Sequence, residues 1–145
     1  GTADGAGIGG GDYSSGGTIE ISGGKVTAIN GGTDPNGWGS NTQKQASGIG
    51  ASQGQHSGTI TISGNAEVTA YGGYACAGIG GGQNNITIKD NAKVTAYGGT
   101  YAAGIGGYNN DKGESTIMIS DSASLRKISE TERCSARRKK RFGSA

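Results

Sequence analysis

The chain has 145 residues, room for one domain, and among them are 32 glycines, one proline and 31% hydrophobic residues. Taken alone, that composition points to low complexity or disorder, and no stretch approaches the roughly 20 apolar residues that would span a bilayer. The formal net charge of +2 is unevenly spread: residues 1–125 carry five Lys/Arg against nine Asp/Glu, and residues 126–145 carry eight against two.

In chain order, the first landmark is a GIG centred on Ile8, followed by an I-x-I at Ile19/Ile21 and a V-T-A at Val26. After a glycine-rich polar stretch, residues 31–45, the same three landmarks return at Ile49, Ile60/Ile62 and Val68. They come a third time at Ile79, Ile86/Ile88 and Val94, and a fourth at Ile105, Ile117/Ile119 and Leu125. The period is 26 residues from Ile79 to Ile105, and the earlier spacings of 30 and 41 place their excess in loop-like segments. Repetition in fixed order signals a unit that buries its apolar face only by stacking on its copies.

Three short strands per pass, each bounded by Gly, Asn, Asp or Ser, predict a coil with three faces. Alternation within I-x-I sends both isoleucines inward and the middle residue outward, and it treats Val68, Thr69 and Ala70 likewise. The expected fold is all-β: a right-handed parallel β-helix, a three-faced solenoid of about four coils over residues 1–125. A disordered basic tail, residues 126–145, follows it. Before the V-T-A strands stand Gly23-Gly24, Gly64-Asn65, Asp90-Asn91 and Asp121-Ser122, residue types suited to a left-handed corner. The glycines around Ile79 are read either as a bare backbone surface or as a tight corner.

Outward residues should form ladders up each face. Lys25, Glu67 and Lys93 alternate in charge, which fits register-setting surface pairs better than a catalytic acid and base, since no third ionisable group joins them. Threonine rows (Thr27, Thr69, Thr95; Thr18, Thr59, Thr116; Thr61, Thr87) would suit an ice-binding face. Glu20, Asn85 and Met118 interrupt them, and threonine is in any case a good outward strand residue. The aromatic residues are more informative. Trp38, Tyr71, Tyr74, Tyr97 and Tyr101 all fall between a V-T-A strand and the next GIG strand. Such a cluster fits the apolar faces and hydroxyl edges of a sugar, and equally a tyrosine stack that covers a corner and pins register.

Other chemistry is weakly signalled. The runs "NNDKGE" at 109–114 and "DPN" at 34–36 gather oxygen ligands without matching a calcium loop. His56 is the only histidine, Cys76 and Cys134 do not form a disulfide framework, and GIGGG lacks the helix of a phosphate loop. No cofactor and no metal are expected.

The segments AGIGGG, TITISGNAEVTAYGG and AGIGGG resemble glycine-rich repeats of secreted and cell-wall proteins of gram-positive bacteria, over residues 5–125. That resemblance implies a right-handed β-helix of carbohydrate-binding type, non-enzymatic and displayed outside the cell as an adhesin or glycan-binding stalk. It carries no catalytic residues to transfer. The alternatives are a passive spacer and, more distantly, a polysaccharide lyase. The partner expected is a polysaccharide or a host or cell-wall glycan, with no membrane span. The chain opens on Gly1 without a leader, as a piece of a longer protein would, and the solenoid is expected to continue into more repeats. The basic run at 137–141 could attract nucleic acid, but no aromatic residue interleaves the charges, and none is expected to bind.

Overall fold

A computed structural model describes residues 5–30, 45–108 and 113–128. They form four coils of three strands each. The first holds β1 (Ile8–Gly9), β2 (Thr18–Ile21) and β3 (Lys25–Ile29); the second β4 (Ile49–Gly50), β5 (His56–Ile62) and β6 (Glu67–Tyr71). The third holds β7 (Ile79–Gly80), β8 (Gly82–Ile88) and β9 (Lys93–Tyr97); the fourth β10 (Ile105–Gly106), β11 (Thr116–Ile119) and β12 (Ser124–Ile128). Each strand pairs in parallel only with its counterparts in adjacent coils, which gives three four-stranded sheets, β1-β4-β7-β10, β2-β5-β8-β11 and β3-β6-β9-β12. The fold is a right-handed parallel β-helix, the hand that a right-twisted strand followed by a crossover favours.

Register follows the repeat residue by residue. Ile8, Ile49, Ile79 and Ile105 align up the first sheet, and Ile19, Ile60, Ile86 and Ile117 up the second. The core is this set of rows. Ile49, Ile60, Ile62, Ile79, Ile86 and Ile88 have no exposed surface, and Val68, Val94 and the small Ala66 and Ala92 fill the space beside them. Each buried isoleucine contributes roughly 1.5–3 kcal/mol, too little for one coil to offset its own chain entropy, so the stack is the stable unit. The last coil shows the dependence. Ile117 and Ile119 occupy the same inward rows yet are 42% and 45% exposed, because no described residue stacks beyond them.

The glycines of GIG serve close approach between coils, and the second of each has φ of +128° to +132°, the glycine backbone that the tight-corner role read from the sequence asks for. A Cβ at Gly78 would lie 2.8 Å from the Gly104 carbonyl oxygen and 2.8 Å from the Tyr97 backbone, and one at Gly50 or Gly80 would overlap the carbonyl of the next coil's glycine. At the corner before the third sheet the expected left-handed residues appear: Gly24, Gly64, Asp90 and Asp121 all have φ between +60° and +77°. An aspartate there costs about 1–2 kcal/mol of backbone strain. Its carboxylate offsets part of this by bonding the coil before it. The Gly64 N–H donates to Asp90 Oδ2 at 2.9 Å, and the Asp90 N–H to Asp121 Oδ2 at 3.3 Å.

One feature has no counterpart in the I-x-I pattern. β5 and β8 each begin four residues ahead of it, at His56 and Gly82, and carry a buried polar ladder at their start. Ser57 Oγ donates to Asn84 Oδ1, while Asn84 Nδ2 donates to the Gly81 carbonyl and to Ser115 Oγ, both at 2.9 Å. The amide is thereby satisfied on both sides inside the wall. At the other end, β12 continues through Arg126, Lys127 and Ile128, so strand pairing outlasts the change in composition by three residues. Residues 129–145, where the rest of the expected tail falls, lie outside the described residues.

Candidate functional site

The corner between the third sheet and the first holds four of the six tyrosines; Tyr13 and Tyr108 lie between the first sheet and the second. Tyr71 ends β6 and Tyr97 ends β9, in register. Their rings stack with centroids 4.7 Å apart and planes within 3° of parallel, the spacing of adjacent coils. The row continues to Ile29 on one side and Ile128 on the other. Each tyrosine therefore covers one face of the other, and the stack presents edges rather than the facing surfaces to solvent.

Tyr74 and Tyr101 lie in the following turns. Cys76 N–H closes the first turn on the Gly73 carbonyl at 3.0 Å, and Ala102 N–H closes the second on the Gly99 carbonyl at 3.1 Å. The turns lock to each other reciprocally: Ala75 N–H donates to the Thr100 carbonyl and Gly99 N–H to the Cys76 carbonyl, at 3.0 and 3.1 Å. The third position of each has positive φ, +56° at Ala75 and +63° at Tyr101, where glycine is usual. Counting by the 26-residue period pairs Tyr101 with Ala75 and Tyr74 with Thr100, so the two tyrosines are not row partners. They meet edge to face, centroids 6.3 Å apart and planes at 88°. Tyr74 is half-buried and Tyr101 is 67% exposed. Four of the five aromatic residues read from the sequence thus converge on one corner of two adjacent coils. Trp38 lies outside the described residues.

The other outward rows form as read. Lys25, Glu67 and Lys93 stand in one row, with Lys93 Nζ 3.7 Å from Glu67 Oε1; both groups are exposed, so the pair adds little to stability. Thr27, Thr69 and Thr95 align, and Arg126 takes the fourth place. Among the described residues no three of His, Cys, Asp and Glu gather as metal ligands. Of the two candidate calcium runs, 34–36 lies outside the described residues, as do 109–112 of the other.

Cys76, whose N–H closes the turn at 73–76, is buried, and burial pushes its thiol from the ordinary 9.0 up to about 12. Since the thiolate is the reactive form, a Cys134→Ser chain should take up no maleimide at pH 8 when folded and one equivalent in denaturant. Labelling of the folded chain at a free-thiol rate would mean that the corner opens. The raised value also sets a pH window. Below pH 9 the thiol is neutral in both states; above it only the unfolded chain ionises. Stability should therefore fall between pH 9 and about 12, and a Cys76→Ala chain should lack that contribution.

Compared with known families, the chain matches the model of the beta helix repeat over residues 19–53, 60–83 and 86–108. No curated protein and no solved structure matched it.

Proposed function

Because the chain belongs to the beta helix repeat family, we propose that it is a non-catalytic module displayed outside the cell, which contacts polysaccharide through its aromatic corner. The observation that carries this reading is the gathering of Tyr71, Tyr74, Tyr97 and Tyr101 on one corner of two adjacent coils. Aromatic rings with hydroxyl edges suit carbohydrate, which joins apolar C–H faces to a rim of hydroxyls. The likeness of the repeats to those of secreted and wall-attached proteins supports display and adhesion as the setting. A single ring contact contributes about 0.5–1.5 kcal/mol, so one module binds weakly and adhesion relies on many modules together.

A glycan array followed by calorimetric titration tests the reading. The expected result is saturable binding with a Kd of about 1 mM or somewhat below, corresponding to some 4 kcal/mol. The mutual coverage of Tyr71 and Tyr97 favours a second reading, a spacer in which the tyrosines seal a corner and hold register. Absence of saturable binding to every polysaccharide would select the spacer. Release of unsaturated sugar products absorbing in the ultraviolet would overturn both and identify a lyase.

A further inference from the structure

We infer that Tyr101 is the specificity-determining platform of this corner and that it holds a single pyranose ring whose hydroxyls are equatorial, a deepening that rests on the polysaccharide reading above. Three observations converge on it. First, an aromatic ring grips a sugar with an open face, and the corner offers few. Tyr71 and Tyr97 spend one face each on the other. In the edge-to-face pair of Tyr74 and Tyr101 at most one face of one ring is used, so Tyr101 keeps at least one face clear of Tyr74, and it is the more exposed of the two. Second, its backbone is held by the reciprocal bonds between turns 73–76 and 99–102, which limits the freedom lost when a ligand docks. Third, its φ of +63° is one that glycine adopts without strain. The equivalent turn of the adjacent coil holds a buried alanine at +56°, so the strain belongs to the turn, and what Tyr101 adds there is an exposed ring on a fixed backbone.

The platform selects the sugar by shape. A pyranose with every hydroxyl equatorial, of the glucose type, presents axial C–H groups on both faces and lies flat on a ring. An axial hydroxyl, as at C2 of mannose, places a polar group on one face, so that only the opposite face can lie on the ring without leaving that hydroxyl unpaired, whereas the glucose type can use either. One ring per module, rather than a strip along the solenoid, follows from there being one such platform at this corner; the other exposed tyrosine among the described residues, Tyr13, lies between β1 and β2, away from it.

The probes are cellohexaose and mannohexaose, titrated against the native chain and against Tyr101→Gly, Tyr101→Phe and Tyr71→Ala. The native chain should prefer cellohexaose. Tyr101→Gly should weaken cellohexaose binding about tenfold, the upper end of one ring contact, while Tyr101→Phe stays within about threefold and Tyr71→Ala costs less than Tyr101→Gly does. Tyr101→Gly should also melt no lower than the native chain, since it relieves a strained φ and removes an exposed ring. Cellohexaose binding that survives Tyr101→Gly, or that Tyr71→Ala abolishes in a chain melting as the native one does, overturns the inference while leaving the polysaccharide reading intact. Equal binding of mannohexaose overturns the choice of configuration. A marked fall in melting temperature for Tyr101→Gly makes the ring a packing element and overturns the platform. If the native chain binds neither probe and no polysaccharide on the array, the underlying reading falls and the inference with it.

Discussion

Ile86→Asp should leave the chain unfolded at 25 °C, while Thr87→Asp, one residue along the same strand, should lower the melting temperature by only a few degrees. Ile86 has no exposed surface and lies between Ile60 and Ile117 in its row. Replacing it removes an isoleucine from the core, at about 2–5 kcal/mol for large-to-small changes of this kind, and buries a carboxylate with no cation in reach, at several more. A total of that size matches the 5–15 kcal/mol by which a whole domain is stable. Thr87 faces outward between Thr61 and Met118, half-buried at most, so a carboxylate there keeps its water. Circular dichroism and thermal melts of the two variants decide it. Comparable damage from both would mean that the inward and outward faces of β8 are exchanged, since a one-residue slip flips every side chain.

Gly80→Ala should be far more damaging than Gly106→Ala, although the two glycines are equivalent positions in the repeat. Both have nearly the same backbone, φ of +132° and +128°, so both variants carry the same conformational strain. They differ in what lies above. At Gly80 an added Cβ overlaps the carbonyl oxygen of Gly106, whereas at Gly106 the nearest atoms are side-chain carbons of Ala103 and Ile117 at 3.8 Å, ordinary contact. The difference between the two melts therefore isolates the steric cost of coil-on-coil approach from that of the dihedral. It should amount to roughly 3 kcal/mol or more, the range of substitutions that force packed backbone apart. Similar losses for the two would show that the dihedral alone demands glycine at this face. A larger loss at Gly106 would show that something stacks on the fourth coil.

Much of this architecture was legible in the residues. The order GIG, I-x-I, V-T-A, repeated four times, determines the three sheets, the parallel pairing and the inward rows. Alternation and periodicity are local properties of a strand that stacking leaves unchanged. The corners at Gly64, Asp90 and Asp121 were equally readable, because tolerance of positive φ belongs to the residue type. The stacking of Tyr71 on Tyr97 follows from equal spacing once the coils are parallel.

What the sequence could not decide are quantities that arise only between coils. Exposure is one: Ile88 and Ile119 occupy equivalent places, yet one is buried and the other 45% exposed, since burial depends on a neighbour above as well as on the residue itself. The purpose of the GIG glycines is another, because a missing Cβ means little until the facing carbonyl has a position. So is the satisfied amide of Asn84, whose partners Ser57 and Ser115 lie about one coil away on either side in the chain. The division among the tyrosines belongs here too. Composition brings four of them to one corner, but ring orientation is set by packing and turn geometry, and it leaves Tyr71 and Tyr97 facing each other and Tyr101 open. Local patterns specify which way a residue faces; only the stacked coils determine what it meets there.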